Sequence, residues 1–285
     1  MTLPTFFIVG AAKAGTTSLH YYLDQHPQIQ MSSVKEPHFF GGPENEYPYP
    51  VGRVSRLDAY EKLFDPAMGV RGEASPGYAN HPRRQGVPQR IKELVPDAKF
   101  IYLVRDPVAR TVSHHQHRVA VEGERRSLQD ALGDLSDPCS PCVCPSMYAL
   151  QVERYLDHFP QERILVLDQT ELLADRRSTL GQIFDFLSVD SFDCERFDDE
   201  LYKSSERRVY PPGYARFVER AILRRIEWVP SEVRSSLRRT AERVLPRVQA
   251  PTLDEQTRMR LQEHYAGDVE RLRALTGKRF STWSV

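Results

Sequence analysis

The sequence lacks an excess of either charge, and it lacks long apolar runs. Lys and Arg together number 39, as do Asp and Glu, so the formal net charge is zero. This balance argues against a generally basic protein that binds nucleic acid. No apolar run approaches the roughly 20 residues of a membrane-spanning helix, and the apolar segment near the N-terminus has no cationic region before it, unlike a signal peptide. We therefore expect a cytoplasmic protein without a membrane span or a nucleic-acid partner.

Cysteine is scarce as well, with four residues, namely Cys139, Cys142, Cys144 and Cys194. Structural zinc sites usually use two separated pairs, whereas Cys194 stands alone in an acidic stretch. We expect no bound metal, and either free thiols or one adventitious disulfide around the segment Ser136–Pro145, which we interpret as an exposed insertion. Internal repeats and convincing linkers are also absent, so residues 1–285 should form a single domain.

A glycine-bounded loop near the N-terminus is the most informative feature that is present. The apolar run Phe6–Val9 is followed by a loop between Gly10 and Gly15 and then by a segment of helical character. Glycines let the backbone curl around a ligand, and the N–H groups of the loop and of the helix N-terminus then face phosphate oxygens. The Gly10-x4-Gly15 spacing matches the P-loop, but Thr16 stands where that motif has lysine, and Lys13 lies inside the loop. The segment predicts a site for a nucleotide-like phosphate in a protein that is not an ordinary ATPase.

Two further apolar runs, Phe100–Val104 and Ile164–Leu167, are as short and continuous as the first. Such runs are typical of strands buried on both faces of a parallel sheet. Helical patterns separate and follow the runs, at Pro88–Leu94, Val108–Val119, Met147–Phe159, Leu180–Leu187, Tyr214–Val244 and Leu253–Leu275. The alternation predicts an α/β fold, a three-layer, P-loop-type parallel sheet flanked by helices, with C-terminal helices packed on it.

A second anion-binding segment follows the predicted strand Phe100–Val104. Arg105 emerges at the carboxyl end of this strand, where ligands of open α/β sheets bind, and Pro107 stands at the favoured first position of a helix. Ser113 lies two helical turns farther along, and an arginine with a hydroxyl suits a phosphate monoester. The alternative is an Arg105–Asp106 surface ion pair that caps the helix.

Together the two segments resemble the sulfotransferases that depend on 3′-phosphoadenosine 5′-phosphosulfate (PAPS), above all the branch of the heparan sulfate enzymes and their bacterial relatives. The resemblance runs roughly from Pro4 to Asp190. It implies that the 3′-phosphate of the donor is held by Arg105 and Ser113. It implies that the 5′-phosphosulfate end is held by the first loop and the residues after it, namely Lys13, Ala14, Gly15, Thr16, Thr17 and Ser18.

The segment Lys35–Phe40 lies between these two motifs. In the glycosaminoglycan branch a matching glutamate, two residues before a histidine, is the catalytic base, and the resemblance assigns that role to Glu36. A carboxylate within hydrogen-bond reach can take the proton of an attacking hydroxyl. His38 could do the same, as a histidine does in the small-molecule branch. The alternative is a solvated Lys35–Glu36 pair beside a packed histidine.

The segment Gly72–Tyr78 is similar to a Glu-Lys-Thr/Ser-Pro-x-Tyr string of the same branch, whose lysine helps bind the acceptor or the transferred group. Ala74 replaces that lysine here, so the acceptor specificity of that branch does not carry over. The resemblance implies that Glu73 and Tyr78 line the substrate pocket, although Glu73 could instead orient Lys35 or Lys13.

A late basic loop resembles the family segment that closes over the 3′-phosphate of the donor. Arg208 and Tyr210 match best, Arg207 adds a further cation, and Glu206 stands where a lysine is expected. The alternative is a solvated charged loop.

Two other patterns could indicate metal binding, but each has a simpler interpretation. Ile164–Asp168 looks like a strand that ends in a magnesium-binding aspartate, yet a strand ending in Asp before a helix is also a common N-cap arrangement. Three histidines, His114, His115 and His117, follow Ser113, but consecutive helix positions do not share one face. We expect one of them to line the cleft and no metal to bind.

These observations predict an enzyme that transfers a sulfuryl group from PAPS to a hydroxyl of a carbohydrate or a glycosylated small molecule, releasing 3′-phosphoadenosine 5′-phosphate (PAP). Lys13, Glu36 and His38 are the candidate catalytic residues, and Glu36, His38, Glu73 and Tyr78 are the candidate acceptor-binding ones. The variable tracts Gly41–Leu57 and Gly123–Pro145 should shape the acceptor pocket. The alternatives are a P-loop kinase or NTPase that uses Mg-ATP through Asp168, and a non-catalytic nucleotide-binding protein, which Ala74 favours.

Overall fold

One parallel sheet of five strands lies at the centre of the computed structural model, which describes residues 1–42, 53–199 and 253–285. The strands are β1 (Phe6–Gly10), β2 (Ile29–Met31), β3 (Val70–Ala74), β4 (Lys99–Val104) and β5 (Ile164–Asp168). The three predicted strands are confirmed as β1, β4 and β5. The other two were missed, because β2 has only three residues and β3 contains a glycine and two charged residues.

Helices connect the strands and cover the sheet. Those in the described residues are α1 (Thr16–Leu23), α2 (Leu57–Glu61), α3 (Val87–Leu94), α4 (Pro107–His117), α5 (Leu128–Leu132), α6 (Tyr148–Leu156), α7 (Gln169–Ala174), α8 (Arg176–Leu187) and α9 (Glu255–Thr276). The predicted α/β fold with helices around a parallel sheet is confirmed. The predicted helix Tyr214–Val244 lies outside the described residues.

The order of the strands, β2-β3-β1-β4-β5, places β1 at the point where the chain changes direction. After β1 the chain builds β2 and β3 on one side, and then crosses over to build β4 and β5 on the other. In such sheets a crevice opens at the carboxyl ends of the strands that flank the change of direction. The loops that follow β1, β3 and β4 therefore meet at one edge.

The C-terminal helix α9 packs against α6 and α4. Leu261, Tyr265, Val269 and Leu272 recur at three- and four-residue spacing and are all buried. Asp268 accepts hydrogen bonds from the first backbone N–H groups of α6, at 2.9 and 3.1 Å, and so caps that helix. Among the described residues no helix combines the length and the apolar composition that crossing a bilayer requires.

The buried guanidinium of Arg110 holds two loops together beneath α4. It is 0% exposed, and it donates hydrogen bonds to the carbonyl of Cys142, to the Ser146 hydroxyl and, at 3.4 Å, to the carbonyl of Ala12. The prediction that Ser136–Pro145 is an exposed insertion is therefore wrong for its second half. Residues 142–145 are buried because Arg110 draws this backbone against the loop after β1.

A second buried charge, Glu73, lies at the end of β3 and is 0% exposed. Its carboxylate accepts hydrogen bonds from the Ser75 hydroxyl at 2.6 Å and from the Tyr60 hydroxyl. Ser75 Oγ in turn accepts from the backbone N–H of His38 at 3.3 Å. Glu73 therefore fixes, through Ser75, the loop that carries the candidate base.

That loop needs such support, since Glu36 and His38 both adopt left-handed backbone angles, with φ of 60° and 52°. Such angles are unfavourable for residues other than glycine and persist where the surroundings impose them. The Glu36 N–H donates to the carbonyl of Ala74 at 3.1 Å, and the Phe40 N–H donates to the Tyr78 hydroxyl at 3.0 Å. The end of β3 thus sets the position of the whole loop.

The burial of Glu73 predicts a stability that depends on pH. Burial raises the pKa of Glu73 to about 7, against hydrogen bonds from Ser75, Tyr60 and Tyr78 that lower it. Between about pH 4.5 and 7 the folded protein then holds a proton that the unfolded chain has lost, so the free energy of unfolding falls as pH rises through this window, by at most about 3 kcal/mol. Glu73→Gln should flatten the fall, as measured by urea unfolding at pH 5 and 7.5.

The exposed Glu93 provides the matched control, and Glu93→Gln should leave the pH dependence of unfolding as it is in the wild type. Parallel pH profiles for the wild type and Glu73→Gln would contradict the raised pKa of Glu73.

Candidate active site

A cleft of about 290 Å³ opens where the loops after β1 and β3 meet α4. Five groups of residues line it: the loop after β1 with the start of α1, the loop that holds the candidate base, the segment after β3, one face of α4, and Pro145 in the turn before α6. They are Ala12, Lys13, Thr16, Thr17, Glu36, His38, Pro76, Gly77, Ala79, Asn80, Arg84, His114, His117 and Pro145. Lys13, Thr16, Thr17, Glu36 and His38 are thus brought together as the sequence predicts.

The loop from Ala11 to Gly15 curls tightly before α1. Lys13 and Gly15 both adopt left-handed angles, with φ of 75° and 102°, and the Ala14 N–H closes the turn on the carbonyl of Ala11 at 3.0 Å. No side chain caps α1, so the first N–H groups of the helix, from Thr16 onwards, stay available to a ligand. The loop has the geometry of an anion site at a helix N-terminus.

Arg105 reaches this loop from the neighbouring strand. Its Nη1 donates to the carbonyl of Lys13 at 3.4 Å, because β1 and β4 are adjacent and both loops leave the same edge of the sheet. The Tyr148 hydroxyl donates to the Arg105 carbonyl at 2.7 Å and holds the backbone there. Burial lowers the pKa of Arg105, and a bound anion would oppose that shift.

The helix that follows Arg105 begins as predicted, with Pro107 at its first position. The Asp106 carboxylate caps it by accepting from the Ala109 N–H at 2.7 Å, and it also accepts from the backbone N–H of Ser284 at 2.5 Å. The alternative interpretation of Arg105 and Asp106 is therefore correct in one point, namely that Asp106 caps the helix. Ser113 lies on α4 and is buried at 3% exposure.

Glu36 lies at the mouth of the cleft with 37% of its side chain exposed. One carboxylate oxygen pairs with the Lys35 ammonium, and the other lies 3.5 Å from His38 Nε2. Burial raises the pKa of Glu36, but the hydrogen bond from His38 and the charge of Lys35 outweigh it and bring the pKa to about 2. The Lys35–Glu36 pair of the alternative interpretation thus exists, and Glu36 is ionised at neutral pH.

Arg84 is a cleft residue that the sequence did not reveal. It is 7% exposed, and its Nη1 lies 3.5 Å from His38 Nδ1. Because a guanidinium can only donate, this contact favours His38 with its proton on Nε2, which faces Glu36. Arg84 follows no recognisable motif, and it lies six residues after the 3₁₀ turn Pro76–Tyr78 that follows β3.

Two predicted substrate contacts lie deeper than expected. Glu73 and Tyr78 are 0% and 2% exposed and do not line the cleft. They are buried in the layer beneath the Lys35–Phe40 loop, because their polar groups hold that loop. Ala74 is also fully buried, so this strand end carries no cation towards the cleft. The predicted residues Arg207, Arg208 and Tyr210 lie outside the described part of the chain.

Asp168 acts as a helix cap. Its carboxylate accepts from the Thr170 N–H at 3.0 Å at the start of α7, and from Trp283 Nε1 at 3.1 Å. This is the N-cap arrangement that the sequence offered as the alternative to magnesium binding. All four cysteines are free thiols, and within the described ranges no three His, Cys, Asp or Glu side chains are grouped as metal ligands.

The three histidines of α4 separate as helical geometry requires. His114 and His117 line the cleft, whereas His115 Nε2 lies 3.0 Å from the Arg126 carbonyl, away from it. The sequence predicts one cleft histidine, and the structure has two because residues three apart share a helix face.

Comparison with known proteins identifies the family of this chain. The sulfotransferase domain family matches residues 3–209. The chain is 28% identical over 203 residues to mouse bifunctional heparan sulfate N-deacetylase/N-sulfotransferase 4, covering 66% of this chain and 22% of that protein. It is 28% identical over 192 residues to human heparan sulfate glucosamine 3-O-sulfotransferase 3B1, covering 66% of this chain and 46% of that protein. The chain thus spans less than half the length of these relatives.

Among solved structures, a sulfotransferase from Alicyclobacillus acidocaldarius aligns over 100% of both chains, with a TM-score of 0.73 and 28% identity. This likeness agrees with the parallel sheet and flanking helices described above. This chain belongs to the sulfotransferase family, whose members take their sulfuryl group from PAPS.

Proposed function

We propose that this sulfotransferase transfers the sulfuryl group of PAPS to a hydroxyl of a carbohydrate or glycosylated small molecule, with Glu36 as the general base. The single observation that carries the proposal is the contact of Arg105 with the Lys13 carbonyl, next to a cleft that Lys13 and Glu36 both line. An arginine beside an anion-binding loop offers positive groups to two phosphates, which suits a nucleotide with a phosphate at each end. The relatives named for heparan sulfate support a carbohydrate acceptor.

In this proposal the start of α1, Arg105 and α4 hold the donor. The first N–H groups of α1 and the hydroxyls of Thr16, Thr17 and Ser18 bind the 5′-phosphate. Arg105 and Ser113 bind the 3′-phosphate, with a planar guanidinium that suits its oxygens. A 3′-phosphate would offset the unfavourable burial of the Arg105 charge, so a nucleotide that carries one should bind more tightly.

The reaction is an in-line displacement at sulfur. The acceptor oxygen forms a bond to sulfur while the bond from sulfur to the bridging phosphate oxygen breaks. Glu36 takes the hydroxyl proton, and the electron pair of the broken bond leaves with PAP. The ammonium of Lys13 stabilises the charge that develops on the bridging oxygen, an interaction that grows towards the transition state and therefore accelerates the step.

The alternatives receive less support. An Mg-ATP enzyme needs Asp168 at the metal, and this carboxylate accepts hydrogen bonds from Thr170 and Trp283 instead. A non-catalytic protein was favoured by the missing lysine at Ala74, but Arg84 lines the cleft and supplies a second cation beside Lys13. We propose that Arg84 takes over the electrostatic part of that lysine's role.

Nucleotide affinity tests the two-ended donor site. PAP and AMP differ only by the 3′-phosphate, so PAP should raise the melting temperature more than AMP at equal concentration. A ligand at 100 times its dissociation constant adds about 2.7 kcal/mol, which thermal shift resolves. Arg105→Met should abolish the difference, while Arg56→Met at an exposed position should preserve it. Equal affinity for PAP and AMP in the wild type would contradict the proposal that Arg105 binds the 3′-phosphate of the donor.

Lys13→Ala tests the role of the ammonium. The rate of sulfuryl transfer should fall by roughly 100- to 1000-fold, as for other groups that stabilise developing charge. The dissociation constant of PAP should change much less, because the remaining donor contacts stay in place. The comparison needs single-turnover kinetics with labelled PAPS beside calorimetry with PAP. Transfer at the wild-type rate would show that Lys13 has another role.

Lys35→Met tests Glu36 as the base. Removing the ammonium should raise the pKa of Glu36 towards an ordinary carboxyl value, and the carboxylate is lost as pH falls through that pKa. The acid limb of the kcat/KM profile should therefore move to higher pH in the variant, while the wild type stays level down to about pH 4. Lys62→Met, at an exposed site, serves as control. Superimposable profiles for wild type and Lys35→Met would mean that Glu36 is not the titrating base.

A further inference from the structure

His114 is a buried histidine that no step of the proposed reaction uses. It lies on α4, is 5% exposed, and its ring forms part of the cleft wall. Neither Nδ1 nor Nε2 has a hydrogen-bond partner among the described residues. Buried polar atoms are nearly always paired, so a side chain with both nitrogens unmatched beside a cleft indicates a partner that arrives with a ligand.

The surroundings of His114 define what kind of partner that is. Burial lowers the pKa of His114 well below its usual value, and nearby Arg110, His117 and Lys13 lower it further. The imidazole is therefore neutral at physiological pH, with one N–H donor and one accepting nitrogen. A neutral ring adds no charge with which to hold a phosphate, whereas a hydroxyl group both donates and accepts and so matches it.

His115 differs from His114 in its hydrogen bonding, and His117 differs from it in being only half-buried. His115 lies off the cleft and already has the Arg126 carbonyl as a partner of Nε2. His117 lines the cleft one turn along the same face, with its ring centroid 6.5 Å from that of His114. His114 is thus the buried member of this face, and it lies in the wall of the cleft.

We infer that His114 is a specificity-determining residue, which binds an acceptor hydroxyl adjacent to the one that is sulfated. The inference rests on the proposed function, since it assumes an acceptor in the same cleft as Lys13 and Glu36. A carbohydrate meets the requirement because it carries hydroxyls on neighbouring carbons. A simple alcohol or phenol offers no second hydroxyl, so the enzyme should discriminate against it.

His114→Phe tests the inference, because phenylalanine keeps a ring and removes both nitrogens. With a desulfated heparan oligosaccharide as the acceptor probe, KM should rise by about tenfold or more, since a polar group that recognises a hydroxyl is lost. The dissociation constant of PAP should stay within about twofold of the wild type. His114→Gln, which keeps a donor and an acceptor, should recover part of the affinity.

His115→Phe is the matched control. This variant loses the contact with the Arg126 carbonyl and should melt at a lower temperature than the wild type, with an unchanged KM for the oligosaccharide. His114→Phe should melt at the wild-type temperature or higher, because it removes two unmatched polar atoms from a buried site. An unchanged KM in His114→Phe, or a weaker affinity for PAP, would overturn the inference.

Nuclear magnetic resonance gives a second readout that needs neither a variant nor turnover. The imidazole nitrogen signals of His114 in the PAP complex should shift when the oligosaccharide is added. A shift with PAP alone assigns His114 to the donor site, and no shift with either ligand makes it a core residue; both outcomes overturn the inference. If the wild type forms no sulfated product and the signals still shift with the oligosaccharide, the proposed transfer fails and the hydroxyl site stands.

Discussion

The contact between the Arg105 guanidinium and the Lys13 carbonyl is the constraint on which the site depends. Each group belongs to a loop that a different strand delivers, and the two loops meet only because β1 and β4 are neighbours in the sheet. An anion site at one loop alone is common and says little about a ligand. The contact joins the loop after β1 to the loop after β4, and it places Arg105 beside the loop whose Lys13 lines the cleft.

Two ionisable side chains without solvent contact support the loops that line the cleft. Arg110 joins the loop after β1 to the backbone at Cys142, and Glu73 joins the end of β3 to the loop of Glu36. Burying a charge is costly unless hydrogen bonds compensate it, and both groups have several. They hold the strained left-handed angles at Lys13, Glu36 and His38 in place.

Much of this architecture could be predicted from the sequence. Continuous apolar runs predicted three of the strands, and the glycine spacing predicted the loop after β1. Both signals lie within a few consecutive residues and need no knowledge of the tertiary structure. The strand Val70–Ala74 was missed because its charged residues conceal its burial. Arg84 and the depth of Glu73 were beyond prediction, since both follow from how distant segments pack. The pairing of Lys35 with Glu36 could be predicted because the two opposite charges are adjacent in sequence. Its effect on the pKa of Glu36 could not, because that effect depends on burial and on the distance to His38.

The cap of α4 has a consequence for how the site is assembled. Asp106 accepts the backbone N–H of Ser284, a residue 178 positions later, and Trp283 binds Asp168 at the neighbouring strand end. During synthesis, the β1 loop and Arg105 emerge long before these partners exist. A substitution at Trp283 or Ser284 would therefore act on the carboxyl ends of β4 and β5 from a position far away in sequence.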